Sequence, residues 1–275
     1  MLDDFLPIKI RLDEKDYRGG ATIVPLGDVH YGSREFNSVR WHEAVKRIQD
    51  DPKCFAVLVG DMIDNGVKSS VSNVYEQTCS PREQKAWLTE ELKPIKDKIL
   101  AAVGGNHERR SAKEVDDDPL YDVMVRLGLE DRYRPNIAFL SVAFSHEVVR
   151  KTQGGKREAE GRCVYVFAIT HGAGGGMYAT SVGGRLTNFS LSLSGVDCLI
   201  VGHTHKPLTF PVSRLIYDHH APTVRQDKFT VVVAPSFLDY GGYPVQKLLT
   251  PAASGLTEIF IKNDLNHKRD LRVLQ

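Results

Sequence analysis

Cys54-Phe55-Ala56-Val57-Leu58-Val59-Gly60-Asp61-Met62-Ile63-Asp64-Asn65 is the stretch on which the fold turns. Its unbroken apolar run has the length of a strand and ends at a glycine. A run without alternation reads as a strand covered on both faces, as in a parallel sheet. The same grammar stands on either side, at 21–27 (Ala-Thr-Ile-Val-Pro-Leu-Gly) and at 98–104 (Lys-Ile-Leu-Ala-Ala-Val-Gly). Between these strands the periodicity predicts a helix over 36–50, with Val39, Ala44, Val45 and Ile48 in its apolar stripe and Asn37 or Ser38 as its cap. A second helix spans 82–98, kinked or broken at Pro94. Further on come a helix over 118–128 ended by Gly128 and strand-like runs at 137–144, 163–170, 197–201, 211–217, 229–234 and 256–262. A helix at about 180–193 intervenes, and the polar, basic segment 150–162 reads as a turn or hairpin flap. Strand and helix alternate in the N-terminal half, and strands dominate the C-terminal half. The pattern is α/β, and with no linker or repeat it predicts one domain over 1–275, with room for a lid or flap around 109–162.

The 275 residues carry 36 Lys+Arg against 35 Asp+Glu, a net charge of +1. Disordered and fibrous classes are excluded by this composition, and so is a strongly basic protein that coats nucleic acid. The four cysteines, at 54, 79, 163 and 198, form no C-x-x-C pair, and three lie in apolar runs. They read as buried small hydrophobes in a reducing compartment. The N-terminus shows no signal-peptide pattern, and no apolar run approaches the roughly 18 residues of a membrane span, so a soluble, cytoplasmic protein is expected.

Several strands end in a glycine followed by residues able to ligate metal. The first gives Gly27-Asp28-Val29-His30, the second Gly60-Asp61-Met62-Ile63-Asp64, and the third Gly104-Gly105-Asn106-His107-Glu108. The run 163–170 leads into His171-Gly172, and 197–201 leads into Gly202-His203-Thr204-His205. Taken singly, an Asp after a strand is a turn former and a lone His is a satisfied polar residue. Together they are five loops in order, each at a strand end, and they hold five of the ten histidines. In open α/β sheets, sites lie beyond the carboxyl ends of the strands, so parallel strands would bring these loops to one place.

The order of these motifs (D-x-H, G-D-x-x-D, G-N-H-[DE], H-G and G-H-x-H) resembles the calcineurin-like metallophosphoesterase superfamily, in particular its DNA-repair exonuclease and phosphodiesterase branch. The resemblance covers residues 27 to 205. It implies a four-layer α/β/β/α sandwich, with two mixed sheets packed between helices, and a site for two divalent metal ions. By resemblance, Asp28, His30 and His205 hold one ion, Asn106, His171 and His203 hold the other, and Asp61 bridges them. Oxygen and imidazole donors without thiolate suit Mn first, with Fe, Zn or Ni as alternatives. The resemblance further implies attack on phosphorus by a metal-bridging hydroxide, with His107 assisting the leaving group and Asp64 as the carboxylate paired with that histidine.

Arg109 and Arg110 follow the third motif and are weaker candidates for contact with a substrate phosphate. Gly172-Ala173-Gly174-Gly175-Gly176 resembles a phosphate cradle but lacks the lysine of a P-loop, and Asp218-His219-His220 reads as a loop. Three activities follow from the resemblance. A phosphodiesterase acting on nucleic acid (DNA or RNA) or nucleotides comes first. A phosphomonoesterase acting on proteins or nucleotides comes second: Glu108 in G-N-H-E favours it, whereas Asp64-Asn65-Gly66 departs from the D-R-G that such enzymes carry. A non-catalytic scaffold comes last, because none of the seven ligands is missing.

Overall fold

The structure is a computed structural model that describes residues 3–68, 70, 74–152, 155–174, 179–242, 245, 250–251, 255–263 and 270–275; for 146–152, 155–162 and 179 it describes the backbone alone. Within strand β3 (Cys54–Leu58), Cys54, Ala56 and Leu58 join one apolar cluster, and Phe55 and Val57 join another. An unbroken apolar run is therefore two half-cores back to back. The same division holds in β2 (Ala21–Leu26), where Val24 and Leu26 face one way and Ala21 and Ile23 the other.

Before β2 stands β1 (Ile8–Asp13), and after β3 come β4 (Ile99–Val103), β5 (Tyr133–Arg134), β6 (Ile137–Thr152) and β7 (Gly155–Thr170). The chain continues through β8 (Cys198–Val201), β9 (Leu208–Asp218), β10 (Thr223–Val233), β11 (Glu258–Ile261) and β12 (Leu271–Leu274). They form two mixed six-stranded sheets, ordered β1-β6-β7-β8-β10-β9 and β12-β11-β2-β3-β4-β5. In the second, β2, β3, β4 and β5 run parallel; in the first, β7, β8 and β10 do. The cluster with Phe55, Val57, Leu100, Leu140, Phe144 and Phe167 is sealed between the two sheets.

Five α-helices among the described residues cover the outer faces. They are α1 (Ser38–Asp50), α2 (Pro81–Leu92), α3 (Glu108–Val115), α4 (Pro119–Leu127) and α5 (Ala179–Ser190). Trp41, Ile48, Leu88, Leu92, Val123 and Met124 bring α1, α2 and α4 onto the sheet of β2–β4, and Val182 and Leu186 bring α5 onto the other. The layer order is thus helix, sheet, sheet, helix. Local chemistry sets the helix ends. The Arg40 N–H donates to Asn37 Oδ1 at 2.9 Å, Ser80 and Glu83 form a capping box before Pro81, and Gly128 closes α4 in the left-handed conformation.

The predicted 82–98 helix breaks near Pro94 as expected: α2 stops at Leu92 and the chain continues as a 3-10 turn over Lys93–Lys98, because Pro94 cannot sustain the α-helical ladder. One expectation needs correction. In α1, Val39 is 65% exposed and Trp41 is fully buried in its place. Trp41, Ala44, Val45 and Ile48 follow the three-to-four spacing of one face, and Val39 falls off it. Val39→Lys should therefore change stability by less than about 0.5 kcal/mol. Ile48→Ala, on the same helix, should cost about 2–5 kcal/mol in urea unfolding. Strands β1, β5 and β12 and helix α3 were not anticipated; α3 (Glu-Arg-Arg-Ser-Ala-Lys-Glu-Val) is too polar and short to show an apolar period.

No helix among the described residues is long and apolar enough to cross a membrane. Of the segment 150–162, residues 150–152 and 155–162 lie in the β6–β7 pair, their side chains outside the described residues; 153, 154, Gly175 and Gly176 lie outside them altogether. Asp218 forms a local turn, its Oδ1 accepting from the N–H groups of His220 and Ala221.

Candidate metal centre

The loops after β2, β3 and β4 in one sheet and after β7 and β8 in the other meet at a single place. Loop cross-bonding begins this: Asp28 N–H donates to the Gly60 carbonyl at 3.0 Å, and the N–H groups of Val29 and His30 donate to that of Asp61 at 2.9 and 3.0 Å. The His203 N–H then donates to Asp28 Oδ2 at 2.8 Å, tying the two sheets together across the site.

Besides a group of His30, Asp64 and His107, the side chains gather as two groups. Asp28, His30 and His205 offer ligand atoms within 4.8 Å of one another, and so do Asp61, His171 and His203. In the first, His205 Nε2 lies 3.1 Å from Asp28 Oδ1 and 3.2 Å from His30 Nε2. In the second, His171 Nε2 lies 3.2 Å from Asp61 Oδ2 and 3.0 Å from Asn106 Oδ1. Asp61 Oδ2 is also 3.8 Å from His30 Nε2, so one oxygen faces both groups. His171 Nδ1 sits 2.7 Å from the Val59 carbonyl, which requires the proton on Nδ1 and leaves the Nε2 lone pair turned into the site.

Five of the seven expected ligands hold left-handed backbone: Asp28 and His30 at φ 49°, Asp61 at 51°, His203 at 70° and His205 at 55°. Each such non-glycine residue costs on the order of 1–3 kcal/mol, and such residues persist only where the surroundings enforce them. One enforcing group is Glu108, which is buried. Its carboxylate accepts from the N–H groups of Asp61 (2.9 Å), Met62 (2.8 Å) and Gly105 (2.9 Å). Gly105 must be glycine, because a Cβ there would lie 2.1 Å from Asp61 Oδ1 and 2.2 Å from Asp61 N. Sequence reasoning placed Glu108 within a motif and missed this clamp; the residue type carried no sign that the carboxylate faces backbone.

The electrostatics of the pocket call for positive charge. Burial alone would raise the carboxyls of Asp28 and Asp61, but the neighbouring imidazoles outweigh it and hold both well below the usual range. Burial would lower His30 and His171, yet the carboxylates around them drive these rings up to about 10 and about 9. Glu108 is pushed up to about 7 by burial and by the nearby Asp61 charge. Asp28 Oδ1 is buried without a hydrogen bond. A buried carboxylate oxygen without a hydrogen bond and oxygen and nitrogen ligand atoms crowded 3.0–3.2 Å apart fit divalent cations.

Beside these expected ligands stands His107. Its Nδ1 lies 2.7 Å from the Asp64 carbonyl and 3.3 Å from Asp64 Oδ1; its Nε2 accepts from Arg110 Nη2 at 2.8 Å and is 3.8 Å from Asp61 Oδ2. These partners require a neutral ring with its proton on Nδ1, and burial lowers its basicity accordingly. Asp64 Oδ1 also lies 3.7 Å from His30 Nδ1. Arg109 turns elsewhere: its guanidinium donates to the carbonyls of Gly104 and Pro135 at 3.2 and 3.5 Å. Asn65 is buried and points inward, its amide donating to the His107 carbonyl and Ser111 Oγ, both at 2.8 Å.

A family model described as calcineurin-like phosphoesterase matches residues 21–207. Among solved structures, the chain is similar to a predicted phosphoesterase from Streptococcus pneumoniae TIGR4, at 12% identity over 92% of this chain and 97% of that one, with a TM-score of 0.35. It is similar to Vps29 from Chaetomium thermophilum at 12% identity over 92% and 96%, with a TM-score of 0.36. A Thermotoga maritima protein solved by NMR in solution is similar at 12% identity over 92% and 98%, with a TM-score of 0.33. No curated protein matches the chain.

Proposed function

The chain belongs to the calcineurin-like phosphoesterase family, and from that premise we propose that it is a phosphodiesterase dependent on two divalent metal ions. The observation that carries this is Asp61 Oδ2, a single carboxylate oxygen facing His171 at 3.2 Å and His30 at 3.8 Å. Asp28, His30 and His205 would hold one ion, Asn106, His171 and His203 the other, and Asp61 both. When bound, such ions act as Lewis acids toward phosphoryl oxygens and draw a nucleophile from water near neutral pH. Mn is the first choice for the assay, with Fe, Zn and Ni as alternatives.

The chain's own residues then orient the ester and handle its leaving oxygen. His107 Nε2, once Arg110 has left it, takes a proton from water and passes it to the departing oxygen, while Nδ1–H stays anchored on Asp64. Arg110, already at Nε2, is placed to exchange that contact for a phosphoryl oxygen. Arg109, engaged with two carbonyls, is the weaker candidate.

Two features support a diester over a monoester. The position where D-R-G enzymes present an arginine is Asn65, and its side chain is turned away from substrate. Glu108, which favoured a monoester on sequence grounds, is occupied by three backbone N–H groups. A nuclease acting on DNA or RNA is one form of this reading, and the net charge of +1 gives it no particular support.

The test is hydrolysis of bis(p-nitrophenyl) phosphate against p-nitrophenyl phosphate by protein stripped with chelator and reloaded with Mn. The diester should be turned over with the higher kcat/KM, and chelation should abolish both reactions. Faster turnover of the monoester would overturn the diester reading. Metal analysis finding only traces after loading would overturn the metal site and favour a scaffold.

A further inference from the structure

The carboxylate of Asp64 has two ends, and only one faces the imidazoles. Oδ1 lies 3.3 Å from His107 Nδ1 and 3.7 Å from His30 Nδ1. Oδ2 accepts a hydrogen bond from Gln77 Nε2 at 3.0 Å. Gln77 is itself oriented, because its Oε1 accepts from Gln84 Nε2 at 2.9 Å, so its NH₂ end must point at Asp64. Gln84 is fully buried at the α2 position one turn before Leu88, and every polar atom of its amide is used. Its Nε2 also donates to the Cys79 carbonyl at 2.8 Å, and its Oε1 accepts from the Asn65 N–H at 2.8 Å. The space for this chain of amides is built into the backbone: a Cβ on Gly66 would lie 1.7 Å from Gln77 Nε2.

From this we infer that Gln77, held by Gln84, is a positioning residue: it fixes the rotation of the Asp64 carboxylate so that Oδ1 stays between His107 and His30. The consequence for chemistry rests on the phosphodiesterase reading above. A neutral amide donor suits this task, because it orients the carboxylate without neutralising it as a lysine or arginine would. If Asp64 rotates, the His107 Nδ1–H keeps only the main-chain carbonyl, and the ring loses the second contact that holds Nε2 in line with the leaving oxygen. Proton delivery to the leaving oxygen should then weaken, most for esters whose leaving group needs it most.

The experiment compares Gln77→Leu with the unaltered protein, both loaded with Mn, on methyl p-nitrophenyl phosphate and methyl phenyl phosphate. The expected result is a fall in kcat of about tenfold on the phenyl ester and less than about threefold on the p-nitrophenyl ester, with KM nearly constant. In an Asp64→Ala background the same change should have almost no effect, since the residue it positions is gone. Gln77→Ala, which removes the donor without adding a charge, carries the same expectation and serves if the leucine variant does not fold. Independently of activity, NMR on the metal-free protein should show the His107 Nδ1–H exchanging with solvent faster in Gln77→Leu. Equal losses on both esters, additivity with Asp64→Ala, or unchanged Nδ1–H exchange would each overturn the positioning role. A wild-type protein inactive on both esters would overturn the phosphodiesterase reading instead, and the NMR measurement would decide the positioning role alone.

Discussion

Asp61→Asn should lower diester turnover by about 10³-fold or more and release both metal ions together. Metal Lewis acidity is worth several kcal/mol, and each factor of ten in rate is about 1.4 kcal/mol, which sets that scale. The substitution is close to isosteric. The new amide oxygen can still accept the His107 N–H that Asp61 Oδ1 accepts at 2.8 Å, so the loop has reason to keep its shape. What is lost is the anionic oxygen that faces both ligand groups. By contrast, His205→Ala removes a ligand from the Asp28 group alone and should release one ion. Metal content by mass spectrometry and far-ultraviolet circular dichroism check the pair. An Asp61→Asn protein that keeps one full equivalent of metal would show that Asp61 serves a single ion.

Glu108→Ala should be the most destabilising single change near the site, costing about 3–6 kcal/mol. The carboxylate is buried and serves three N–H groups, and each buried N–H left without an acceptor costs about 1–3 kcal/mol. Water entering the vacated space offsets part of that loss. For a chain of this size the melting temperature should drop by roughly 10 °C or more. Glu108→Gln keeps one acceptor oxygen and turns an NH₂ toward a backbone donor, so it should fall between. The alanine variant should also bind metal more weakly, because the left-handed backbone of Asp61 loses its restraint. A melting temperature within about 2 °C of the parent protein would show that the three N–H groups find other partners.

Elements read from local pattern came through well. The apolar runs at 21–27, 54–60 and 98–104 became β2, β3 and β4, because a strand buried on both faces has no polar alternation to lose. Asn37 caps α1 and Gly128 ends α4, both features that depend on a residue and its immediate neighbours. Strand β6 runs well past its predicted end, and β10 starts well before its predicted beginning. Their extra residues pair with long antiparallel partner strands, which supply order that a polar stretch alone does not announce. The apolar stripe of α1 was misread at Val39, because only the packed helix reveals which side of the stripe the sheet covers.

At the site, the chain itself determined the chemistry on offer. Five loops carry carboxylate, amide and imidazole in a fixed order, with no thiolate among them, and ligand type sets which metals fit. The tertiary structure decided how those groups are used. Three of the loops come from one sheet and two from the other, and their meeting places Asp61 Oδ2 between the ligand groups. Folding also turned Asn65 inward, occupied Glu108 with backbone N–H groups, capped His107 with Arg110, and joined Gln77 to Asp64. Apolar period and glycine punctuation record what a segment buries along its own length. A hydrogen bond between two loops depends on where two distant segments meet, and that is settled only when the sheets pack.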